Sequence, residues 1–119
     1  MDKKKRGEDD GLLAERKANI LKALAHPVRI TIFESLAPGE KTVGELVEIL
    51  GTKDANTSRH LAVMRSAGLV STRKDGLHVH YSIKIPCLLT MLSCLDEGVC
   101  TMADESSRVA ELLRSKPAR

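Results

Sequence analysis

The chain has 119 residues, 42% of them hydrophobic, 29% charged and only 2% aromatic, with a formal net charge of +3. That size suits one domain. No apolar run reaches the roughly 20 residues needed to cross a bilayer, and the start lacks the apolar stretch of a signal peptide, so no membrane role and a cytoplasmic location are expected. Phe33 and Tyr81 are the only aromatic residues. The core must therefore come from Leu, Ile, Val, Ala and Met, which favours helices packed on helices.

Residues 1–11 carry four positive and four negative charges with almost nothing to bury, and a disordered polar tail is expected there. Leu13, Ile20, Leu21 and Leu24 then recur at helical spacing, giving a first helix over about 12–25. Pro27 suits the first turn of a second helix, whose apolar face is Val28, Ile32, Phe33 and Leu36 and whose stop is Pro38-Gly39. In "TVGE", Thr42 and Glu45 have the spacing of a capping box, so a third helix starts there and runs to Gly51. Asp54 can cap a fourth helix that ends near Ser66, with Leu61 and Met64 inward. Two short helices joined by a tight turn with Gly resemble a helix-turn-helix.

"LVSTRKDGLHVHYSI" changes to period two around Asp75-Gly76, which favours a hairpin, and a hairpin after such a motif is a wing. Pro86 opens a last helix over about 86–97, ended by Gly98, and a polar segment follows. The fold class is thus mainly α with a small β-hairpin, in the order α-α-α-α-β-β-α. The expected division is a tail over 1–11, a domain over 12–100 and a polar extension over 101–119.

Charge is balanced except between Lys53 and His80. There Lys53, Arg59, Arg65, Arg73 and Lys74 face only Asp54 and Asp75, a local excess of +3 (5 − 2) that points to a polyanion. His78 and His80 stand two apart on one strand face; a solvated strand edge is the expected reading over a metal site.

The three cysteines, Cys87, Cys94 and Cys100, lie within fourteen positions. In a reducing compartment an odd set of thiols reads as interface packing, metal ligands or a redox sensor rather than structural disulfides. Cys87 and Cys94 share a helix face but sit about 10.5 Å apart along the axis, too far for one ion. If two last helices paired antiparallel about Thr90 and Met91, Cys87 of one chain would lie beside the partner's Cys94, with Cys100 folding back past Gly98 as a third thiol. No nucleophile motif and no glycine-rich phosphate loop is present, so an enzyme is not expected.

"LKALAHPVRITIFESL" and "TVGELVEILGTKDANTSRHLAVMRSAGLVSTRKDGLHVHYSI" resemble the ArsR/SmtB family of winged helix-turn-helix repressors over about residues 18–85. The most specific parts are Ala25-His26-Pro27-Val28-Arg29, Ser58-Arg59-His60-Leu61 and Ala67-Gly68-Leu69-Val70. The resemblance implies a homodimer, joined by its first and last helices, that binds a double-stranded DNA operator with an inverted repeat. It implies that Asn56, Thr57, Ser58, Arg59 and His60 face DNA from the recognition helix, and Arg73, Lys74 and His78 from the wing. The Cys-Val-Cys of many arsenic-responsive relatives is replaced here by Thr42-Val43-Gly44, and residues 86–103 lack the histidines that zinc-responsive relatives use. A thiol-only set of Cys87, Cys94 and Cys100 remains, whose softness favours As(III) or Sb(III), or else Cd(II), Pb(II) or Hg(II), as inducer. Interface packing, a thiol redox or persulfide switch, and a soft-metal sequestering protein stay open as alternatives.

Overall fold

The computed structural model describes residues 3–103 and 107–116. Its elements run α1 (Lys3–Leu24), α2 (Pro27–Ser35), β1 (Lys41–Thr42), α3 (Val43–Leu50), α4 (Asp54–Ser66), β2 (Val70–Asp75), β3 (His78–Ile83), α5 (Cys87–Met102) and α6 (Ser107–Ser115). The chain divides after Ile85 into two compact units. This differs from the single domain over 12–100 expected from the sequence. Among the described residues, no helix is long and apolar enough to cross a membrane.

The first unit is a winged helix-turn-helix. Ile32, Phe33, Leu46, Leu61, Met64 and Leu69 are fully buried and bring α2, α3 and α4 together, with Leu24 of α1 and Val70 of β2 at the margin. Burying each such side chain contributes about 1.5–3 kcal/mol, and helix spacing alone puts Leu61 and Met64 on one side of α4. The sheet has the order β1-β3-β2, all antiparallel. Asp75 pairs with His78, so the wing turns on Gly76 and Leu77. Gly76 has φ +62°, the left-handed conformation that a two-residue hairpin loop requires of its first residue. The strand β1 is two residues long, too short to leave a periodic signal.

Two expectations about element ends fail. The polar tail predicted to be disordered is helical from Lys3 onward. Its charges are spaced for a helix, with Arg6 and Asp10 four apart, and Gly7 and Gly11 cost only about 1 kcal/mol each. Likewise Gly98 does not end α5, which continues to Met102 because a lone Gly inside a helix is a weak breaker. The expected polar extension over 101–119 instead holds the end of α5 and all of α6. In this second unit α5 and α6 pack on one another, with Leu92 and Ala103 buried.

Candidate nucleic-acid interface

The turn between α3 and α4 is built from its caps. Thr42 Oγ1 accepts from Glu45 N at 3.2 Å while Glu45 Oε1 accepts from Thr42 N at 3.1 Å, the reciprocal capping box expected from the spacing. The bond from Thr42 N first, then one that the Thr42 hydroxyl donates to Oε1 at 3.1 Å, hold the Glu45 carboxyl below its usual range. Gly51 ends α3 at φ +66°, and only two residues separate it from α4. Lys53, not Asp54, occupies the N-cap, and it makes no side-chain cap bond.

The recognition helix α4 sorts its candidate residues into two groups. Asn56, Ser58 and Arg59 are exposed. Asn56 and Arg59, three apart, share a face and present an amide and a guanidinium, the groups that pair with adenine and guanine edges in a major groove. Thr57 and His60 do not join them. Thr57 is fully buried and its hydroxyl is bonded to Thr52 Oγ1 at 2.6 Å, so it seals the turn and cannot reach DNA. Its place was readable from spacing, because Thr57, Leu61 and Met64 form one i, i+4, i+7 row.

His60 is half-buried behind the helix. Its Nδ1 accepts from Arg29 Nε at 3.1 Å, and its ring lies 4.5 Å from that of His26. Burial first, then the positive charges of His26, Arg29 and Arg59, lower its pKa from the ordinary value. The expectation that His60 faces DNA is therefore corrected: packing against α2 turns it inward.

On the wing, Lys74 and His78 are exposed. Arg73 is exposed but paired. Its Nε and Nη2 both donate to the carboxylate of Glu40, just before β1, with the Nε bond at 3.2 Å. The bond with Arg73 is the largest cause holding the Glu40 carboxyl below its usual range, and the same contact raises the Arg73 pKa. His80, the cross-strand neighbour of Arg73, has its Nδ1 3.8 Å from Glu40. The wing thus carries a carboxylate that the sequence reading missed, because Glu40 and Arg73 lie 33 positions apart.

The cysteines fall on a single helix. Cys87 and Cys94 are exposed and about 20° apart around α5, whereas Cys100 is half-buried and about 120° away from Cys94. The fold-back that would bring Cys100 to Cys94 does not occur, since α5 passes straight through Gly98. Among the described residues, no three His, Cys, Asp or Glu side chains converge as a metal site.

Comparison with known proteins agrees with this geometry. The family described as "Bacterial regulatory protein, arsR family" matches residues 26–72, which span α2 through β2. The HTH-type transcriptional regulator Rv0081 of Mycobacterium tuberculosis is 36% identical over 104 residues, 87% of this chain and 91% of the relative. The crystal structure of the transcriptional repressor BigR from Xylella fastidiosa is 33% identical, with a TM-score of 0.67 over 78% of this chain and 95% of that one. The solution structure of the homodimeric winged helix-turn-helix domain of Mb0332 from Mycobacterium bovis is 26% identical, with a TM-score of 0.66 over 92% and 94%. With its exposed recognition face, its wing and these likenesses together, the chain belongs to the ArsR family of bacterial transcriptional regulators.

Proposed function

We propose that this regulator is a homodimeric repressor that reads an inverted-repeat operator with α4 and releases it when a thiol-directed effector acts on α5. The observation that carries the DNA half is the sidedness of α4. Thr57, Leu61 and Met64 anchor it, and Asn56, Ser58 and Arg59 stand free on the outer surface. Lys53, Lys74 and His78 add exposed basic groups for phosphates. The resemblance to BigR, itself a repressor, supports repression, and that to the homodimeric Mb0332 supports the dimer.

The effector half rests on Cys87 and Cys94. Both are exposed on one face of α5, about 10.5 Å apart along its axis, so they serve one ion only across a dimer axis, each beside the other's counterpart. Two thiolates at each bridge suit a soft two-coordinate ion such as Hg(II), or As(III) or Sb(III) completed by a further ligand. The exposure of both thiols equally favours oxidation as the trigger.

One titration separates these readings. Reduced protein is added to labelled DNA from upstream of its own gene, and fluorescence anisotropy is followed with arsenite, antimonite, mercury(II), cadmium(II) or an oxidant. Arg59→Ala should abolish binding. Cys94→Ser should bind as the parent does but no longer release. Release of the Cys94→Ser protein by every reagent would remove Cys94 from the mechanism and leave the repressor standing.

A further inference from the structure

One guanidinium ties three helices together. Arg29 of α2 donates from Nε to His60 Nδ1 of the recognition helix at 3.1 Å and from Nη1 to the Ala23 carbonyl of α1 at 3.2 Å. His60 also lies against His26, the two planes tilted by 48°. His26 in turn uses its Nδ1 to accept from Val28 N at 3.1 Å, capping α2.

Both bonds need an imidazole nitrogen that carries no proton. Arg29 has five N–H groups and no lone pair, so it can only donate. A proton on His60 Nδ1 would set two N–H groups head to head beside a permanent cation. The groups acting on His60 are His26 and Arg29 from the α2 side and Arg59 on α4 itself, all positive when charged. No carboxylate is among the groups that shift it. Buried polar contacts of this kind hold only while every member is satisfied.

We propose that Arg29 and His60 form a proton-sensitive joint that positions the recognition helix for DNA, with His60 acting from behind α4 and not by touching bases. This rests on the reading of α4 as the DNA-binding element. Neutral His60, with its proton on Nε2, accepts from Arg29 and fixes α4 against α1 and α2. Protonated His60 turns an acceptor into a donor, the Arg29 bond is lost, and α4 is no longer held in its reading position.

The sign follows from the direction of the shift. The folded protein binds this proton less readily than the unfolded chain, so the stabilisation is complete above the ordinary histidine value of about 6.5. It is lost as pH falls through the lower folded value. Operator affinity therefore drops on acidification.

Two measurements test the joint. In the free protein, long-range 1H–15N correlation should show His60 protonated at Nε2 at pH 7.5 and titrating below 6.5, and Arg29→Met should move that titration upward. An Nδ1–H tautomer, or a titration that Arg29→Met leaves in place, would overturn the proposal. On operator DNA at fixed salt, Arg29→Met and His60→Ala should each bind about tenfold more weakly at pH 7.5 with helical circular dichroism retained, the scale of one charge-assisted hydrogen bond. His60→Gln offers Arg29 a neutral amide oxygen at every pH, so it should restore most of the affinity lost in His60→Ala and flatten the decline between pH 7.5 and 5.5. A His60→Gln protein whose decline matches the parent would sink the joint. If the parent bound no operator, the reading of function would fail, and the tautomer and titration would still decide the joint.

Discussion

The unit that ends at Ile85 and the unit that begins at Pro86 differ in how much of a core they build. In the first, Phe33, Ile32, Leu46, Leu61 and Met64 have no exposed surface, and Thr57, the fully buried polar side chain among the described residues, has its hydrogen-bond partner. In the second, Leu92 and Ala103 alone among the described residues are buried, while Leu95, Val99, Met102 and Leu112 stay exposed, Met102 at 75%. The first unit closes a core, although Leu12, Leu13 and Leu21 on α1, Ile49 on α3 and Leu77 on the wing stay exposed. The second leaves an apolar surface of the kind that marks an interface, which is what a homodimer would cover.

The largest expected effect tests that contrast directly. Phe33→Ala should lower the unfolding free energy by about 3–5 kcal/mol, read from urea denaturation. Leu95→Ala should change it by less than about 0.5 kcal/mol at low protein concentration, yet weaken self-association in analytical ultracentrifugation. Equal losses from the two variants would break the comparison.

Within the first unit, Thr57→Val should cost about 1–2 kcal/mol by leaving Thr52 without its partner, and the loss should appear in thermal melts rather than as the abolished binding expected of Arg59→Ala. Removing the N-cap of α3 with Thr42→Ala should cost about 1 kcal/mol by the same measurement. The smallest effect on stability belongs to Glu40→Gln, because the Glu40–Arg73 pair is open to solvent. That variant frees Arg73 for phosphate. Its operator binding should be tighter at low salt, and log K should fall more steeply against log salt by about 0.9.

Much of the fold was legible from the residues because local chemistry decides it. The capping box of Thr42 and Glu45, Pro27 at the head of α2 and the Gly51 stop appear where the sequence puts them. What escaped depended on partners far along the chain. Spacing places Arg59 and His60 side by side on α4, but Arg29, 31 residues earlier, decides that His60 turns inward. Glu40 likewise meets Arg73 only because β1 joins the sheet beside β3. Gly98 misled for the opposite reason, since a signal that stops helices at their ends costs little in the middle of one.

That uninterrupted helix makes α5 a rigid rod about 24 Å long with thiols at two bearings. Cys87 and Cys94 look one way, and Cys100 looks another and is less accessible. Probes attached to Cys87 and Cys94 would report on the same side of the rod, and a probe on Cys100 on a different one. A single set of labels on this helix can therefore tell rotation of α5 from translation along its axis, which is the distinction any account of effector release has to make.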